Sequence, residues 1–368
     1  MTASHTGQGG RGSAGGAFGA GPGWQIVQAL PAEPGSGKPG GGFTDMLSVA
    51  AAGARDAWAV GDICPPQCNR SSARVLVEHW AGAGWRKIPS PPGQGPLIPP
   101  SPIGASSATN AWVFADATGQ PARASRWNGS SWASFRFPRN SAISAAAVFS
   151  RTEVWALGEI VSAYPKPYVV RFNGSRWLRV PSPLVPQDAS APAPDDIWAV
   201  GTLTGPGDVW AAAHWDGNSW RALRFPRLHL PPSAEIANAA IVGFSAHDAW
   251  IDIGLDSNGV APYPGIIVLH WNGRAWSRLP VPYRTLVVGD ISRDGRGGIW
   301  IYAAGPATPA GPPVYLYHYR NGQWSRQRAP AEDGHAPDMG VLSWSPGASS
   351  GWAATNANQR GLLMRYLP

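Results

Sequence analysis

The residues of this chain with chemistry to offer are eight histidines, 22 acids and two cysteines, and their spacing sorts them. His79, His214, His270 and His318 each stand directly before an aromatic residue in a recurring stretch. Arg126 and Arg171 fill that slot in two further copies, and a slot that trades His for Arg is a structural one. His247 lies in a turn of the same unit. His229 and His335 fall outside the pattern, in irregular connections, which leaves them as the histidines for acid–base work or ligand contact. The acids divide similarly. Asp56, Glu153, Asp196 and Asp248, with Asn110, stand two residues before a recurring Trp, where a short polar side chain caps a turn. No closely spaced carboxylate pair argues for glycoside hydrolysis. Cys64 and Cys68 bracket CPPQC, which is neither a C-x-x-C redox motif nor half of a zinc site. Two readings compete, a reduced pair in the cytosol or a small disulfide loop, and the favoured disulfide points to an oxidising, extracellular or cell-surface setting. No nucleophile elbow, phosphate-binding glycine loop or metal motif is present, and no cofactor or metal is expected.

The elements that must position these residues come from repetition. AHWDGNSWRALRFP (213–226) is the clearest copy of a unit that recurs as HWAGAGWRKIP, RWNGSSWASFRFP, RFNGSRWLRVP, HWNGRAWSRLP and HYRNGQWSRQRAP. Upstream of each copy lies a second Trp-centred segment, anchored at Trp58, Trp112, Trp155, Trp198, Trp250 and Trp300, and a last one at Trp352. Each unit therefore holds four short strands, A to D, with Trp in B, an aromatic at the end of C and Trp in D. Strand A is rich in Ala, Ser and Gly, as expected where strands crowd around an axis. Four antiparallel strands per repeat of this length define a propeller blade. The Asn-Gly and Asp-Gly pairs at Asn128, Asn173, Asp216 and Asn272 predict tight C–D hairpins.

The seventh repeat stops at its strand C, while GWQIVQALP (23–31) has the form of an orphan strand D. The chain is therefore expected to be all-β, a seven-bladed β-propeller of four-stranded antiparallel blades, closed by the N-terminal strand completing the last blade. Residues 1–23 read as a flexible Gly-rich lead-in and 24–368 as one propeller. The repeated D-x-W-A-V-G and W-x-G-x-x-W segments resemble the Kelch-like and galactose-oxidase-central-domain class of bacterial propellers. DGRGGIW (294–300) is also similar to the repeat of periplasmic sensor propellers. The resemblance implies the fold over residues 24–368 and leaves activity open, since such scaffolds host enzymes, lectins and protein-binding modules. Copper chemistry of the galactose-oxidase kind needs a Tyr–Cys crosslink, and both cysteines lie in one loop, so that activity does not carry over.

Strand connectivity puts the B–C and D–A connections on one rim, and the long inserts all fall there. Rim loops on a rigid scaffold are where binding concentrates. The ligand candidates on this rim are Trp210 with the neighbouring Asp208, Tyr164, Tyr263, His229, His335 and Asp338. Asp45, Asp188, Asn238 and Asp290, near the starts of inner strands, are expected to ring the mouth of the central channel, where they would bind a cation or polar ligand. A net charge of +7 with Arg spread around the repeats reads as surface charge, not a nucleic-acid site. No apolar run reaches membrane-spanning length, and no secretory signal is visible in the first residues. The expected function is a non-enzymatic, monomeric binding module for a protein or glycan. The alternative is a carbohydrate-active lyase or glycosidase using rim acids with His229 or His335.

Overall fold

The structure is a computed structural model. It describes residues 23–36, 41–68, 72–93, 97, 102–115, 121–205, 207, 209–231, 234–256, 265–282, 287–305, 312–338, 340–345 and 347–368. The lead-in expectation therefore lies outside the described residues, apart from Gly23, which opens the first strand, Gly23–Ala29. Seven four-stranded antiparallel sheets follow one another as blades 1 to 6, at 43–88, 103–136, 141–179, 184–224, 235–279 and 287–328. Blade 7 combines Val341–Trp344, Gly351–Ala357 and Arg360–Leu367 with the first strand, which pairs antiparallel to Arg360–Leu367 from Gly23 opposite Leu367 to Ala29 opposite Leu362. The expected closure is thus present, and the sheet edge at the C-terminal strand is covered. Each inner strand touches the inner strands of both neighbours, and that of blade 7 touches that of blade 1.

The core is a ring of seven apolar clusters, one between each pair of blades. Between blades 1 and 2, for example, Trp58, Val60 and Val77 meet Ile103, Val113 and Trp127. Close approach of strands A and B requires glycine: a Cβ at Gly201 would sit 1.9 Å from the Val185 carbonyl oxygen. The C–D hairpins are tight, as expected, but the Asn side chain closes them. Asn128 keeps a negative φ and its side-chain oxygen accepts the Ser130 and Ser131 amides, both at 2.9 Å, so only Gly129 turns left-handed (φ 106°). The Asn side chain can close the loop by itself, which removes the need for two positive φ values. Only blade 6, with Asn321 at 50° and Gly322 at 79°, has both among these loops.

The repeated His slot is structural for a specific reason. His79, His214, His270 and His318 lie against Trp58, Trp198, Trp250 and Trp300, with ring centroids 3.9 to 4.5 Å apart. Each Nε2 meets a carboxylate: Asp56 at 2.8 Å, Asp196 at 2.7 Å, Asp248 at 3.0 Å and Asp294 at 2.9 Å. In blade 3 the pair becomes Arg171 and Glu153, at 2.7 and 2.6 Å. The acid before the strand-B Trp thus locks strand B to strand C rather than merely capping its own turn. Blade 6 has Gly298 in that position, and Asp294, from the preceding turn, takes over. Replacing Asp196 with Ala strands His214 against an indole, and should cost about 1–3 kcal/mol in a urea melt, with ligand binding at the rim unchanged.

Candidate functional site

Strands A and C run away from the rim formed by the D–A and B–C connections, and B and D run towards it. The connections at that end therefore converge regardless of their sequence. Blade 3 contributes its B–C loop, in which Val161 N–H donates to Asn140 at 2.7 Å and Ser162 Oγ to the Tyr164 carbonyl at 2.6 Å. This short bridge turns the loop tip outward, and Tyr164 is 84% exposed with Val161 at 49%. In blade 4, Leu203 N–H donates to the Val209 carbonyl at 2.8 Å, pinning the base of the loop, and Val209 is 41% exposed. Trp210 is half-buried against the core between blades 4 and 5, beside Phe225 and Leu228, so its ring covers a blade edge. Tyr168 is also buried, beneath the Arg179 guanidinium at 4.6 Å, and burial pushes its hydroxyl up. Asp208 and Tyr263 lie outside the described residues.

His229 is exposed in the connection from blade 4 to blade 5, at φ 48°. His335 is exposed between blades 6 and 7, in a turn where its backbone pairs both ways with Glu332. Asp338 follows it; its carbonyl oxygen accepts from Thr355 at 2.7 Å and Tyr302 at 3.0 Å. The two histidines stand in connections two blades apart, and neither bonds to Asp338 through its side chain among the described residues. They form no acid–base pair.

The residues expected at the channel mouth make different local contacts. Asp338 and Asp45 lie near each other on blades 7 and 1; burial, then repulsion from Asp45, raises the Asp338 carboxyl. Asn238 stays on its own blade, its Oδ1 occupying the space that a Cβ at Gly254 would need, 2.2 Å away. Asp188 and Asp290 sit just past β-bulges of their inner strands, at 186/188 and 288/290. That offset sends each to the neighbouring blade. Asp188 Oδ2 accepts the Ile241 amide at 2.8 Å and Asp290 Oδ2 the Leu342 amide at 2.6 Å. Both act as staples between blades.

Between them stands a residue that sequence reasoning passed over, Asp252 in strand B of blade 5 (Asp248–Asp256). Its Oδ1 accepts the Ala240 amide at 3.1 Å, so Asp252 and Asp188 take consecutive amides of one strand. Burial pushes the Asp252 carboxyl up to about 8, with repulsion from Asp188 adding to it. Asp290 is raised well above the carboxylate range by burial and by the charges of Asp188 and Asp252, and burial raises Asp188 as well. The signal that would have found Asp252 was the repeat itself. Two residues after the strand-B Trp, the other blades carry Val60, Phe114, Leu157, Val200, Tyr302 and Ala354.

The fold is a closed seven-bladed β-propeller. No protein-family model and no curated protein matches the chain. Among solved structures, YCF48 bound to D1 peptide aligns with a TM-score of 0.56 at 12% identity, covering 96% of this chain and 97% of that one. YCF48 from Cyanidioschyzon merolae aligns at 0.52 and 15%, covering 94% and 99%. The SapL1 lectin in complex with alpha methyl fucoside aligns at 0.48 and 14%, covering 80% and 98%. At these identities the likeness is one of fold. The structures named are YCF48 and a fucoside-binding lectin, and neither is a Kelch nor a galactose-oxidase propeller.

Proposed function

We propose that this propeller is a non-enzymatic binding module that takes a protein or glycan ligand on the rim of B–C and D–A connections, and that a protein is the better fit. One observation carries the reading. Among the described residues, Val161, Tyr164, Val209 and Val287 are four of the five large apolar side chains left exposed, and all four lie on this rim. The fifth, Leu178, lies on an outer strand. Exposed apolar side chains gathered on one face mark an interaction surface. Valines offer nothing to sugar hydroxyls but pack well against apolar protein side chains, with Tyr164 as an aromatic anchor of the kind enriched at interfaces. That YCF48, a propeller of this fold, has been solved with a peptide bound supports the reading at the level of fold.

The test is a triple variant, Val161→Ser, Tyr164→Ala, Val209→Ser, compared with the wild type in extract pull-downs and on a glycan array. The melting temperature should be unchanged because none of the three is in the core. The wild type should retain a protein whose capture the variant loses by about tenfold or more, the scale of a 1.4 kcal/mol contact. A partner held equally by both proteins sinks the rim assignment. An array signal lost in the variant, with no protein lost, would replace the protein by a glycan.

A further inference from the structure

We propose that the region around Asp252, with Asp188 and Asp290 on the inner strands of the two neighbouring blades, is a receptor for an organic cation bearing several N–H donors, a guanidinium or alkylammonium group entering along the propeller axis. The argument starts from a residue that blade packing does not need. In the Asp252 position blades 1 and 4 use Val60 and Val200, and blade 6 uses Tyr302, whose hydroxyl is partnered by Asp338 and Thr355. Blade 5 alone places a carboxylate there. Asp252 is 1% exposed, its Oδ1 takes the Ala240 amide, and its Oδ2 is buried without a hydrogen-bond partner. An unpaired oxygen in such a place is costly to keep, and a valine would remove the cost.

Asp188 and Asp290 flank it on the inner strands of blades 4 and 6 and are only half-buried. Among the described residues no Lys, Arg or His side chain forms an ion pair with any of the three. The arrangement calls for positive charge from outside. It does not suit a single metal ion, because among the described residues no three His, Cys, Asp or Glu side chains stand close enough together to hold one. A guanidinium spreads five N–H donors over a planar fork, and an alkylammonium carries three, so either can serve acceptors that stand apart.

The test uses the full chain at mildly alkaline pH with agmatine and putrescine as probes, and calcium chloride and sodium chloride at matched ionic strength as controls. Agmatine should raise the wild-type melting temperature by several degrees where both salts leave it in place. In titration calorimetry its affinity should fall at least about tenfold in Asp252→Val and in Asp252→Asn, as when one side of a buried charge pair is removed. Both variants should melt at or above the wild type without ligand. The triple rim variant should keep the agmatine response, which separates this site from the rim. No shift of the wild type with either amine, an equal shift in both Asp252 variants, or a calcium shift larger than the amine shift would each overturn the proposal.

Discussion

Lowering the pH from about 9 to about 5 should make the protein without ligand more stable, the reverse of ordinary acid destabilisation. Asp252, with its carboxyl pushed to about 8 by burial and by Asp188, carries most of this. The raised carboxyls of Asp290 and Asp188 act in the same sense. An unfolded aspartate titrates near 4. Between that value and the raised one, the folded state binds more protons than the unfolded state, so stability falls as pH rises through the window. Below it both states are protonated and the stabilisation is complete. At about 1.4 kcal/mol per pH unit of difference, Asp252 alone accounts for something on the order of 5 kcal/mol. Asp294 works in the opposite direction. Burial would raise it, but hydrogen bonds from His318 and from the Arg296 and Gly298 amides hold it below the usual range. Its contribution is present above the ordinary value and is lost as the pH falls through its depressed one, so stability should peak in mild acid. The measurement is melting temperature against pH for wild type and Asp252→Val. The variant should show a flatter profile from pH 6 to 9 and a higher melting temperature at the alkaline end. An unchanged slope would place the titrating group elsewhere.

Trp24→Ala should be the most damaging single truncation, because that residue closes the ring. Its indole is 2% exposed and packs edge-on against Trp300 and Trp344, with centroids 5.7 and 6.0 Å away. Its backbone is held from the neighbouring blade as well: Trp24 N–H donates to Gln327 Oε1 at 3.0 Å, and Gln327 Nε2 to the Trp24 carbonyl at 3.2 Å. Truncating a buried Trp costs about 3–5 kcal/mol, comparable to much of the net stability of a domain. Weakening the first strand also uncovers the edge of Arg360–Leu367, which invites association between chains. Urea unfolding with light scattering should show both a lower midpoint and concentration-dependent aggregation. Leu178→Ala, on an outer strand, should show neither. A Trp24→Ala loss below about 1 kcal/mol would mean that the ring does not depend on its N-terminal strand.

Blade number and strand order were legible in the sequence because they rest on interactions between near neighbours, and closure, which joins Gly23–Ala29 to Arg360–Leu367 from the far end of the chain, was legible because the last repeat lacks the strand that the first segment supplies. The Trp at fixed places in strands B and D, the small residues of strand A and the orphan GWQIVQALP are local signals repeated until they cannot be misread. Local chemistry was less legible where two solutions share one motif: Asn128-Gly129 suits a two-residue hairpin and a side-chain-closed loop equally well. The rim was legible as a face, yet its apolar character came from Val161 and Val209, residues with no pattern to mark them, while Trp210 turned inward to cover a blade edge. The repeat did carry the mark of Asp252, as the one carboxylate in a slot otherwise filled by apolar or hydroxyl-bearing side chains. What that carboxylate faces could not be read from it. Asp188, Asp252 and Asp290 belong to three successive blades, and only the closed ring sets those blades side by side, while the bulges turn Asp188 towards blade 5 and Asp290 towards blade 7. Strand identity follows from local periodicity, whereas the meeting of distant charges follows from how the whole chain bends, and the second is not written in any one stretch of it.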